Sequence, residues 1–178
     1  MKFASAFCIL YFGTLLLIGL STPGGYYNSY MEKLNFIDWL RSSLLHGSKA
    51  LLGLFGFETN VEGLYILRAK HGVAVRMVYQ CIGYGVMSFW GAFVFANTAK
   101  ISKKIKWILG GWLLIWCINV IRVSLLLAAI NNKWSMPIRI DHHTLFNIAA
   151  YTLILIMIYF FDRSQFRLFS KPDKLTDI

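Results

Sequence analysis

Acidic residues are scarce in this chain, eight against eighteen lysines and arginines, and the stretch richest in lysine, Lys100-Ile-Ser-Lys103-Lys104-Ile-Lys106, contains none. Cysteines number three, Cys8, Cys81 and Cys117, with no Cys-x-x-Cys pair. An odd count with two members inside apolar runs excludes a structural disulfide framework. No His-Glu-x-x-His zinc site occurs, and no Gly-x-Ser-x-Gly nucleophile elbow, so the commonest metallopeptidase and serine hydrolase patterns are excluded. Internal repeats and low-complexity tracts are also missing.

Apolar side chains, by contrast, are abundant: 57% of the 178 residues are hydrophobic and 16% aromatic. A soluble domain of this size would have more apolar surface than it could cover, so a bilayer is the simpler solvent. A crossing requires about 20 mostly apolar residues, and residues 3–20, 82–99, 107–130 and 144–161 qualify. The expectation is an all-α integral membrane protein forming a single membrane domain over 1–178, with four transmembrane helices and one long extracytoplasmic loop, 21–80.

A net charge of +10 in a soluble protein would suggest nucleic acid. The distribution decides otherwise. Short basic segments stay cytoplasmic, and the Lys100–Lys106 connection, Lys2 and the tail bearing Arg163, Arg167, Lys171 and Lys174 are all of this kind. Both termini are therefore expected inside a plasma (inner) membrane, with segments 21–80 and 131–143 outside, and the basic tail against membrane lipids. The alternative for the first crossing is a cleaved signal peptide, since small residues follow at Ser21-Thr-Pro-Gly-Gly25. The lack of an Ala-x-Ala site after the apolar run, where cleavage would fall, and the length of that run weigh against it.

Within the long loop, Ile37, Leu40, Leu44, Leu51 and Phe55 recur at helical spacing, opposite Asp38, Ser42, His46 and Lys49. This predicts an amphipathic helix over 34–57, lying on the outer membrane surface and bent near the glycines at 47, 53 and 56. Over Val61–Gln80, two β-branched runs flank Ala-Lys-His-Gly72, which predicts a short β-hairpin delivering the chain to Cys81.

An ionisable residue inside a crossing is a functional candidate because hydrocarbon penalises charge. Arg122 lies about eight residues, or roughly 12 Å, below the outer end of its helix, and Asn119 shares its face. In the expected topology Cys81, Arg122 and the Asp141-His142-His143 sequence all lie toward the outer side, though far apart in the chain. A cysteine attacks carbonyls as thiolate, a form that a neighbouring cation or imidazole favours. An arginine offers fixed donors to an oxyanion or a substrate carboxylate. Singly, each residue has a structural explanation: a packed thiol, a snorkelling or helix-bridging arginine, a capping histidine pair. Gly83 and Gly85 equally suit close backbone approach to the cysteine or small-residue helix packing.

In these three stretches, Cys81-Ile82-Gly83, Asn119-Val-Ile-Arg122 and Asp141-His142-His143-Thr-Leu-Phe-Asn147, the chain resembles the exosortase/archaeosortase family of multi-pass membrane enzymes. Family members carry Cys-x-Gly, Asn-x-x-Arg and His at the corresponding places, in the same order, and the resemblance covers about residues 61–161. Ile82 stands where many members have Ser, and Asn147 where many have Gly four residues after the histidine. That spacing selects His143, with His142 in reserve, and the small number of crossings suits a short, minimal branch. The resemblance implies a cysteine peptidase or transpeptidase acting on exported proteins that end in a transmembrane sorting signal. Cys81 would form an acyl thioester, His143 would act as acid and base, and Arg122 would hold the oxyanion. Asn119, His142 and Gly83 would support them, with no metal or organic cofactor.

Two other classes compete. Thiol redox chemistry needs a second cysteine near Cys81, and Cys8 and Cys117 are both expected within crossings. A non-enzymatic scaffold or assembly factor of a secretion system would use Arg122 and the histidines to hold helices or a partner. A zinc site on His142 and His143 is disfavoured, because adjacent side chains on a helix point about 100° apart.

Overall fold

The computed structural model describes residues 2–21, 36–70, 72–133 and 142–169; for residues 21, 80, 142–147, 150 and 165–169 the description is of the backbone alone. Two helices among these residues are long and apolar enough to cross a membrane. They are α1 (Lys2–Ser21) and a second that we label α4 (Ile101–Asn131). Ile9, Phe12 and Leu16 of α1 and Ile105, Leu109 and Leu113 of α4 are exposed, leaving apolar outer faces suited to hydrocarbon.

The predicted crossing at 82–99 is helical only over α3 (Tyr84–Ala96). Its 13 residues rise roughly 20 Å, short of a bilayer core. Gly83, whose φ of 85° places it in the left-handed region, sets the start of the helical ladder, and Asn97, extended at φ −73° and ψ 160°, ends it. Cys81 consequently ends a separate 3-10 turn, Tyr79–Cys81, and does not ride on the apolar helix. Further along, α5 (His142–Phe169) contains the predicted 144–161 segment. The chain is thus mostly helical, with a small sheet.

The amphipathic segment forms α2 (Phe36–Leu54). Its buried face, Ile37, Arg41, Leu44, Leu45, Ser48 and Leu52, packs along α4. Trp116 donates its indole N–H to Ser43 Oγ at 3.0 Å, Ser48 donates to the Val120 carbonyl at 3.3 Å, and Ser124 donates to the Ser48 carbonyl at 3.4 Å. These contacts ascend both helices together, so α2 leans along α4 in the same direction and does not lie across its outer end as the expected surface helix would. Gly47 permits the approach, because a Cβ there would stand 2.8 Å from the Trp116 ring. The helix runs unbroken through Gly47 and Gly53 and ends at Leu54, before Gly56 with its φ of 78°.

Three antiparallel strands follow, β1 (Thr59–Glu62), β2 (Ile66–Ala69) and β3 (Ala74–Arg76), in that spatial order. The predicted hairpin is β2–β3, paired Ile66 to Arg76 and closed by Ala69 N–H on the Val73 carbonyl at 2.7 Å. Strand β1 was not expected, because Thr-Asn-Val-Glu has little apolar alternation. It is fixed by pairing with β2 and by Arg68, whose Nε lies 2.6 Å from Glu62 Oε1. The hydrogen bond and charge of Glu62 raise the Arg68 guanidinium above its ordinary pKa.

Two cores result. One joins the inner face of α2, the sheet, Ile82 and the second half of α4 (Val120, Val123, Leu127, Ala128). The other joins α3, the first half of α4 and the second half of α5 through Trp90, Val94, Ile115, Met157 and Phe161. Helices α3 and α4 run antiparallel and are tied by tryptophans: Trp90 donates to the Trp107 carbonyl at 2.9 Å and Trp112 donates to the Met87 carbonyl at 3.0 Å.

Candidate functional site

Following the α3–α4 contacts away from Trp107 leads to the 3-10 turn. Asn119, buried on α4, donates its amide to the Ile82 carbonyl at 3.4 Å and to the Ile115 carbonyl at 3.1 Å. The same amide nitrogen lies 2.5 Å from the position of a Cβ on residue 83. Both the left-handed φ and this contact require glycine there. Gly83 therefore serves close backbone approach, whereas the Cβ of a residue at Gly85 would meet only the edge of the Tyr11 ring, at 3.4 Å.

One helical turn beyond Asn119, Arg122 reaches the same place. Its Nη2 stands 3.9 Å from Cys81 Sγ, a long contact appropriate to a large, polarisable sulphur acceptor. Both side chains are half-buried. Two positions 41 residues apart are thereby brought together. The other cysteines, Cys8 and Cys117, are free like Cys81.

The histidines complete the picture only in part. Residue 142 begins α5; Asp141 and the side chains of His142, His143 and Asn147 lie outside the described residues, as do the tail lysines Lys171 and Lys174 and the small-residue stretch 22–25.

Arg41 is the residue that sequence reasoning missed. It is fully buried. Its guanidinium carbon lies 4.3 Å from the Tyr65 ring centre and 4.2 Å from that of Tyr79, and Nη1 is 2.8 Å from Asp38 Oδ1. The Asp38 contact is a charge contact without hydrogen-bond geometry. The two ring faces supply the remaining stabilisation of the cation. The available signal was positional: Arg41 falls on the apolar stripe Ile37, Leu44, Ser48, Leu52, where a solvated arginine has no place.

Beside the turn, an apolar cavity of about 590 Å³ opens between α1, α2, α3 and α4. Tyr84, three residues after Cys81, forms part of its wall with Leu10, Trp39, Met87 and Trp116.

No family model, no curated protein and no solved structure matches this chain.

Proposed function

We propose that the chain is a membrane-embedded cysteine peptidase or transpeptidase, with Cys81 as nucleophile and Arg122 as the group that stabilises charge on the substrate. The observation that carries this reading is the 3.9 Å approach of Arg122 Nη2 to Cys81 Sγ. In an apolar setting the attraction of a guanidinium for a developing oxyanion is little screened.

The step balances without an added reactant other than the acceptor. The Cys81 thiolate adds to the scissile carbonyl, and negative charge collects on the oxygen facing Arg122. The C–N bond then breaks, the amine leaves with a proton from His143, and an acyl thioester remains. An acceptor amine or water, deprotonated by His143, attacks the thioester and returns the thiolate. Helix arithmetic supports His143 in this role. From the Trp107–Phe161 ring contact, Arg122 lies 15 residues, about 22 Å, along α4 and His143 lies 18 residues, about 27 Å, back along antiparallel α5. The two backbones thus reach heights within about one turn of each other.

Four crossings, α1, α3 extended by the turn before it, α4 and α5, accord with the lysines of the α3–α4 connection remaining cytoplasmic. The sheet and the Cys81 turn then lie toward the outer side of a plasma membrane. The apolar cavity next to Tyr84 suits a substrate whose scissile bond adjoins a hydrophobic segment, as an exported protein ending in a transmembrane sorting signal would provide.

The test is processing, in cells, of an exported protein that ends in a transmembrane helix and a basic cluster, a product of a neighbouring gene with that form being the first choice. Wild type is compared with Cys81→Ala, Arg122→Ala and His143→Ala, with membrane abundance followed by blot. Normal abundance with uncut precursor in all three is the expected result. Normal cutting by an abundant Cys81→Ala protein would remove the nucleophile and leave the scaffold reading in its place.

A further inference from the structure

The turn that carries Cys81 is too slight to hold itself. It has three residues, with Cys81 N–H on the Val78 carbonyl at 2.9 Å and Ile82 N–H on the Tyr79 carbonyl at 3.2 Å, and no side chain caps its start. Short 3-10 segments have poor hydrogen-bond geometry and take their stability from what packs on them. On the far side of Cys81, Asn119 grips the Ile82 carbonyl. The near side is anchored at Tyr79, and the group against its ring is Arg41.

Arg41 also stacks on Tyr65, which terminates the β1–β2 turn and whose carbonyl accepts from Met77 N–H at 2.7 Å. One buried guanidinium thus clamps α2, the sheet and the Cys81 turn together. A cation without water is costly, and hydrophobic packing would serve mere cohesion at least as well. Arginine adds a flat plate that fixes the orientation of both rings.

We propose that Arg41 is a positioning residue for Cys81, acting through Tyr79 to hold the sulphur against Arg122. The inference rests on the reading of Cys81 as a nucleophile held by Arg122, and it concerns how that nucleophile is set in place.

Its test needs no substrate. In a Cys8→Ala, Cys117→Ala protein, the rate at which iodoacetamide alkylates Cys81 is measured in membranes and normalised to protein present. Arg41→Met, close in volume, and Arg122→Gln are each expected to slow alkylation on the order of fivefold, and the double variant to be no slower than either. A residue that only stabilises the fold would instead give independent, multiplying effects. Should Arg41→Met accumulate poorly, Asp38→Leu with Arg41→Met removes the ion pair as a unit, and Tyr79→Leu removes the stacked ring while leaving the pair; the same non-additivity is expected of both. Wild-type alkylation in these variants, or losses that multiply with Arg122→Gln, would overturn the proposal. If alkylation is coupled but no precursor is cut by wild type, the positioning role stands and the peptidase reading falls. If wild type cuts the precursor and alkylation is uncoupled, the positioning role alone falls.

Discussion

The amide of Asn119 occupies the space that a side chain at residue 83 would need, 2.5 Å from the Cβ position, and from there it donates to the carbonyl of Ile82. Gly83→Ala must therefore both adopt a left-handed φ, at about 1–2 kcal/mol, and displace Asn119. Its thermal unfolding temperature in detergent should fall clearly below wild type. Gly85→Ala, facing only the Tyr11 ring edge at 3.4 Å, should stay within a degree or so. Equal stability of the two alanine variants would show that the Asn119 contact does not constrain the turn.

Arg122 contributes charge and a planar pair of donors at once, and substitution separates these. If it holds an oxyanion, Arg122→Gln should lower the cleavage rate about 10²- to 10³-fold. Arg122→Lys, which keeps the charge without the fork, should fall between it and wild type. A time course of precursor cutting in proteoliposomes measures both, and a wild-type rate for Arg122→Gln is the outcome that excludes the role.

The second core should matter for stability and not for chemistry. Trp90 is fully buried and its indole donates to the Trp107 carbonyl, so Trp90→Phe should cost about 1 kcal/mol in the lost hydrogen bond. Gly111 lies directly against the Trp90 indole, and Gly111→Val should cost about 1–3 kcal/mol by overpacking. Cleavage per folded molecule should be unchanged in both, because the contacts around Cys81 belong to the other core.

Topology is open to direct labelling. In a protein lacking its native cysteines, Asn60→Cys, at an exposed position of β1, should react with an impermeant maleimide in intact cells. Lys103→Cys, in the first turn of α4, should react only after permeabilisation. The reverse pattern would invert the orientation and take the Cys81 turn away from the outer face.

Much of this protein is legible in its sequence, because burial periodicity and charge act locally. The apolar runs marked α1, α4 and α5; the stripe from Ile37 to Leu52 marked α2; and β-branched runs about a glycine-containing turn marked the β2–β3 hairpin. The same runs misled at residues 82–99, where hydrophobicity concealed both the left-handed glycine that starts α3 late, with Cys81 on its own turn, and the extended Asn97 that ends it early. Strand β1 and Arg41 were hidden for a related reason: each is stabilised by a neighbour distant in sequence, the one by β2 and the other by two tyrosine rings.

The sequence alone determined that most of this chain is helical and that Asn119 and Arg122 are unusual residues for their surroundings. It could do so because desolvation penalises a polar group according to the apolar residues flanking it, which are its sequence neighbours. Only the tertiary structure decided that Arg122 meets Cys81, that Asn119 fills the space left by Gly83, and that Arg41 is clamped against Tyr79. Those are contacts between elements, set by the register of α3 on α4 and of α2 against the sheet, and no local periodicity encodes that register.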